Sequence, residues 1–401
     1  MIAKPPAETP IDVAMGGRAL LTPLTGIGQY AAHLARELIA RGHGVRFFYG
    51  THWSSTLSGH DALRADGMPA RQSPRTAAAA AAKRFARKYL PGAYRFMPYV
   101  EQHRFSAGLR GRAAPQVYHE PNFIPFRFRG PTVITVHDVS WVHHPEYHPA
   151  ARLALLRANF PDAVRRADRI VVVSDFVRSE LEACMPDAAP KIRVVHNGVS
   201  PVFAPRLPAD TNRVLARYDL THGNYFAAIG TLEPRKNLLT ALAAHALLPK
   251  PMRMRVPLVL VGVEGWLTDA LHAALEPSLR DGTVRKLGYV PDRDMPLVTA
   301  GALAIVYPSI YEGFGLPLIE GMAAGVPVLC SSAAALREVA GDAALVRDPA
   351  DVDGFADAMR ALIDDDALRA RLIAAGTARA RRFGWSRTAD ETLAVYREIL
   401  T

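Results

Sequence analysis

Short apolar runs, each handed on to a glycine-bearing loop and then a helix, recur along this chain and leave it few folds to adopt. The clearest case spans Ala304 to Gly325. Ala304 to Tyr307 is wholly apolar, as a strand buried on both faces must be. Gly313 and Gly315 then supply a loop able to bend sharply and to approach a ligand closely. Pro317 suits the first helical position, Gly325 suits the helix end, and Val326 to Leu329 resumes as a strand. Ile11–Met15 followed by Thr25-Gly26-Ile27-Gly28 repeats the order, and Tyr225–Ile229 followed by Gly230-Thr231 starts it again. Alternation of this kind implies parallel sheets, and the restart implies two of them.

The N–H groups opening the helix after Gly315 favour an anion. Glu312 in the loop and Glu320, expected in the first helical turn, would repel that anion directly. They make better sense as acceptors for hydroxyl groups, which sugars present in number. A helix with a glycine loop and two solvated glutamates is the plainer alternative.

The stretch YPSIYEGFGLPLIEGMAAGVPV resembles the E-x7-E signature of glycosyltransferase family 4, retaining enzymes of the GT-B fold. The resemblance implies an α/β chain of two Rossmann-like domains facing across a cleft. Residues 1–205 would form the acceptor-side domain, completed by a C-terminal helix over 386–401, and 206–385 the nucleotide-sugar domain. A linker is expected near 200–215. The catalytic set carried over is Glu312, His137, Lys236 and Arg235. His137 ends the run Thr132–Val136, and Lys236 matches a family lysine. Thr231 stands where many members have arginine, so Arg235 is a candidate replacement. Donor contacts are expected from Gly26, Gly28, Thr231, Tyr289, Val290, Gly313, Phe314, Gly315, Leu316 and Glu320. Arginine and lysine would neutralise a diphosphate leaving group, so no cofactor and no metal are expected. Asp292-Arg293-Asp294 and Asp351-Val352-Asp353 are read as helix-start acids. His143, His144 and His148 are read as a loop, because Pro145 and Pro149 break any helix that would align them on a metal.

"GTLEPRKN" and "LVGVEGW" look most like bacterial O-antigen or exopolysaccharide mannosyltransferases, which points to GDP-mannose and a lipid-linked glycan acceptor. Rhamnose, glucose and N-acetylhexosamine donors stay open, as does a GT-B sugar-nucleotide epimerase.

Charge narrows the partners. The formal charge is +10, and residues 71–112 carry ten Lys or Arg against Glu101 alone. A helix is expected over 77–90, with Phe85 and Tyr89 on one face and Arg84 and Lys88 on another. Aromatic residues beside basic ones fit a helix lying on an anionic membrane. A solvated face, or an arm against the rest of the domain, has the same composition. A basic nucleic-acid binder is a distant alternative, since the stretch holds no recognisable nucleic-acid module. Met1 to Pro10 lacks the apolar core of a signal peptide, no apolar run reaches eighteen residues, and Cys184 and Cys330 have no ligand spacing. A cytoplasmic protein, peripheral on the inner face of the cell membrane and binding no nucleic acid, is the resulting expectation.

Overall fold

The computed structural model describes residues 9–21, 25–57, 97–110 and 114–400. The helix expected over 77–90, like most of the basic stretch, lies outside them. Two sheets are present. The first contains β1 (Asp12–Gly16), β2 (Gly44–Phe48), β3 (Trp53–Ser54), β4 (Val117–Glu120), β5 (Thr132–Val136), β6 (Arg169–Val172) and β7 (Ile192–Val194), in the order β3-β2-β1-β4-β5-β6-β7. The second contains β8 (Phe226–Ile229), β9 (Leu258–Val261), β10 (Val284–Gly288), β11 (Ala304–Tyr307), β12 (Val328–Ser331) and β13 (Leu345–Arg347), in the order β10-β9-β8-β11-β12-β13. The pairs β1–β2, β1–β4, β8–β9 and β8–β11 are parallel, and β3 adds an antiparallel edge.

The chain divides into two compact units, one of Met1–Val136, Phe160–Val171 and Ala389–Thr401, the other of His137–Asn159 and Val172–Thr388. In the first unit a buried polar chain joins the sheet to the last helix, Trp385–Leu400. The Tyr30 hydroxyl lies 2.9 Å from Thr135 Oγ1, which lies 2.7 Å from His119 Nε2, and His119 Nδ1 lies 2.7 Å from the Tyr396 hydroxyl. Satisfied groups of this kind specify one docking register for the helix, because any other register leaves them buried and unpaired.

The second unit is built on strands apolar on both faces. Phe226, Leu258, Leu260, Val306 and Leu329 pack with Leu242, Phe355 and Met359 from the covering helices. Each such side chain contributes about 1.5–3 kcal/mol by leaving water.

Several local expectations need correction. Helix Ala150–Arg166 runs through Pro161. The proposed linker is partly helical, since Pro208–Leu215 forms a helix started by proline. Helix Leu316–Ala323 begins one residue earlier than expected, so Pro317 is its second residue and Glu320 lies beyond the first turn. Gly315, at φ +100°, holds the N-cap position, where a side chain would be strained. The segment read as a histidine loop contains a short helix, Ser140–His143, and a 3-10 turn, Pro145–Tyr147.

Candidate active site

β8 and β11 are hydrogen-bonded parallel neighbours, so the loops that follow them leave from one edge of the sheet. That adjacency brings 230–237 against 308–315, and Ile310 N donates to the Arg235 carbonyl at 2.9 Å. Arg235 and Lys236 precede the helix that follows β8. They close a 3-10 turn, Pro234–Lys236, and the helix starts at Leu238. Asn237, at φ +53°, makes the change of direction, held by its Nδ2 donating to the carbonyls of Pro308 (3.1 Å) and Pro349 (2.7 Å).

The turn aims both cations at Glu312. Lys236 Nζ donates to Oε1 at 2.6 Å and to the Tyr307 hydroxyl at 2.9 Å. Arg235 donates through one nitrogen to Glu312 Oε2 (3.0 Å) and the Tyr311 carbonyl (2.7 Å), and through the other to Glu233 Oε1 (2.6 Å). Glu312 is only 6% exposed. Burial would raise its carboxyl, but Lys236 and Arg235 outweigh that and hold it at about 2. Burial likewise opposes the charge on Arg235, and Glu312, Glu233 and Asp138 more than offset it. The site thus holds two cations on buried carboxylates.

Glu320 behaves differently. Burial and then the Asp292 charge push its carboxyl up to about 7. The two glutamates of the signature therefore differ in charge near neutral pH, one fixed as an anion and one balanced. The two Asp-x-Asp sequences are not alike either. Asp294 occupies an N-cap position without capping, and accepts instead from Arg217 and Tyr218, each at 2.8 Å. Asp351 does cap its helix, through Gly354 N.

His137 follows β5 and is half-buried, and its carbonyl oxygen presses on Gly313. Thr231 lies half-buried with Gly230, Lys236 and Tyr307 around a small cavity. Leu316 is half-buried, whereas Phe314 packs inward on the rings of His196 and Phe383. After β10, Tyr289 is 40% exposed and Val290 is buried. Gly26 and Gly28 belong to the first unit, at the start of helix Gly26–Ala40.

Three polar residues lie near Arg235: Asp138 of the pair His137-Asp138, His148, read in the sequence only as part of a loop, and Ser140, which carried no sequence signal. Asp138 accepts from Ser140 N (3.0 Å) and Ser140 Oγ (2.6 Å), and Ser140 Oγ lies 2.9 Å from His148 Nε2. With its proton given to Asp138, the Ser140 hydroxyl accepts from His148, which fixes the imidazole as the Nε2–H tautomer. Burial raises and Arg235 lowers the Asp138 carboxyl, with a net lowering, while burial and then Arg152 depress His148.

Comparison with known proteins fits this arrangement to a family. Residues 24–203 match the model for Glycosyltransferase Family 4, and residues 218–379 match that for Glycosyl transferases group 1. The chain is 38% identical over 380 residues to the O-antigen chain mannosyltransferase B of Escherichia coli, covering 94% of this chain and 96% of that one. The chain belongs to glycosyltransferase family 4. Its fold is that of known members of the GT-B class. Sucrose-phosphate synthase from Thermosynechococcus elongatus superposes with a TM-score of 0.72 at 21% identity, over 97% of this chain and 98% of that one. HepE from Anabaena, solved with UDP and glucose, superposes with a TM-score of 0.69 at 17% identity, over 96% and 98%. Glu312 and Glu320, and the Arg235 and Lys236 that contact Glu312, all lie within the residues that match the group 1 model.

Proposed function

We propose that this family 4 enzyme is a retaining mannosyltransferase that moves mannose from GDP-mannose to a lipid-linked glycan in O-antigen synthesis. The observation that carries this is the pair of cations on Glu312 at the glycine loop, in a chain 38% identical along nearly its whole length to an O-antigen mannosyltransferase. A donor diphosphate would draw Lys236 and Arg235 off Glu312, leaving its carboxylate to accept from sugar hydroxyls. The acceptor hydroxyl oxygen bonds to the anomeric carbon on the face from which the phosphate leaves. The C–O bond to the β-phosphate breaks with its electron pair, and the departing phosphate oxygen takes the acceptor proton. Charge on that phosphate is met by Lys236, Arg235 and the amides after Glu312. Turnover is accordingly expected without a divalent cation or another cofactor.

The acceptor places the reaction at a lipid surface, and residues 71–112 are proposed to dock there on the inner leaflet. Within the described part, helix Met97–Ala107 exposes Tyr99 and Val100 beside His103 and Arg104. No helix among the described residues is long and apolar enough to cross a membrane.

The test is incubation of purified protein with GDP-mannose, UDP- and dTDP-sugars, with and without a lipid-linked acceptor, in EDTA. Mannose transfer from GDP-mannose is the expected result. Transfer from another donor alone, or donor turnover without acceptor to an epimeric nucleotide sugar, would replace this reading.

A further inference from the structure

In the first sheet β1 lies between β2 and β4. Chain order reverses there, and in open α/β sheets the crevice beyond the carboxyl ends of such strands is where ligands bind. At that edge β1 ends in Gly16, followed by Gly17, and β4 ends in Glu120. The Glu120 carboxylate lies across Gly16, for a Cβ there would sit 2.3–2.7 Å from the carboxylate atoms. Glycine is needed so that the acid can occupy the crevice floor.

Glu120 is 7% exposed and has no cation on it among the described residues. The Tyr118 hydroxyl donates to Oε2 at 2.8 Å, and Asn122 N donates to Oε1 at 3.2 Å. An ionised carboxylate accepts about four hydrogen bonds, so each oxygen keeps capacity for one more donor. Its outward neighbours, Asn122 and Arg18, are exposed. Arg18 is paired with Glu101 and stacked 4.5 Å from the Phe126 ring centre, so its charge reaches Glu120 only at a distance. Burial, against the opposing effects of Tyr118, Arg18 and Asn122, pushes this acid up to about 7. A carboxylate kept in this way, costly to bury and short of donors, is completed by neutral O–H groups.

We propose that Glu120 binds hydroxyls of the acceptor carbohydrate, taking one on each carboxylate oxygen, and that Gly16, Gly17 and Glu120 form an acceptor subsite in the first unit. The proposal rests on the glycosyltransferase reading for its ligand class, and it adds a specificity-determining residue that the donor chemistry does not use.

Methyl α-D-mannopyranoside and a panel of other methyl glycosides serve as probes, followed by ligand-observed NMR across pH. GDP-mannose binding by calorimetry runs in parallel. Wild type should bind at least one glycoside, more tightly as pH rises through about 7. Glu120→Gln should weaken that glycoside roughly tenfold or more, lose the pH step, and leave GDP-mannose affinity within about twofold. If that variant loses both ligands and so is misfolded, Tyr118→Phe decides: removing a donor that lowers the acid should move the step to higher pH. Absence of glycoside binding by wild type, or binding unaltered by Glu120→Gln, or a step unmoved in Tyr118→Phe, overturns the proposal. Failure of GDP-mannose alone to bind overturns the donor assignment and leaves the subsite standing.

Discussion

Gly313 and His137 meet backbone to backbone within the second unit: a side-chain carbon on Gly313 would lie 1.7 Å from the His137 carbonyl oxygen. The loop that carries Glu312 is therefore seated directly on the segment that follows β5. Gly313→Ala must push the two apart by more than an ångström. The expected result is a loss of about 1–3 kcal/mol of stability from overpacking and an activity loss on the order of 10²-fold. Thermal melts and steady-state rates check it. A variant as active and stable as wild type would show that the loop does not need this seat.

Glu312→Gln should cut turnover strongly with modest change in nucleotide affinity. It also strips the counter-charge from Lys236 and Arg235, and breaking a buried pair costs about 3–5 kcal/mol. The pH dependence has a definite sign. The Glu312 carboxyl is held at about 2, below its ordinary 4.5, so its stabilisation is complete above about 4.5 and is lost as pH falls toward 2. Wild type should therefore lose stability over that window more steeply than Glu312→Gln in denaturant titrations.

Glu320 has the opposite linkage. Its carboxyl is raised to about 7, so the stability it contributes is complete below about 4.5 and is lost as pH rises through 7. Glu320→Gln should be more stable than wild type at pH 8, by a few kcal/mol at most, with the difference vanishing below about pH 4. Ribose hydroxyls donating to the carboxylate would favour its ionised form. Nucleotide binding near pH 6.5 should then release protons, seen as buffer-dependent calorimetric heats, in wild type and not in the variant. Equal proton release by both would remove Glu320 from the nucleotide site.

Lys236→Met should lose about 2–4 kcal/mol of transition-state stabilisation, the usual scale for a preorganised charge stabiliser. Arg235 and Glu312 would remain paired. Wild-type activity should survive EDTA, and Mg²⁺ should not restore the variant. Abolition by EDTA with rescue by Mg²⁺ or Mn²⁺ would contradict the metal-free mechanism.

Membrane docking is checked by co-sedimentation with anionic vesicles. Changing Arg84, Arg87 and Lys88 to Glu should release the protein, and raised salt should do the same, since each basic residue near the surface adds about 1 kcal/mol at low ionic strength. These three residues lie outside the described ones. Equal binding by both proteins would return the stretch to a solvated or intramolecular role.

Local chemistry made much of this protein legible in its sequence. The apolar runs of Phe226–Ile229 and Ala304–Tyr307 are strands, and Gly315 and Pro317 open a helix, because these preferences act over a few residues. The tertiary structure alone decided which loops share an edge. Glu312 and Lys236 are 76 residues apart and meet because β8 lies beside β11, a strand order that no local pattern encodes. The same holds for Asp138, Ser140 and His148 beside Arg235, and for Glu120 over Gly16. Charge state followed too: the two glutamates of one signature, alike in sequence, separate to about 2 and about 7 because Lys236 and Arg235 overcome burial at one, while burial and then the Asp292 charge raise the other.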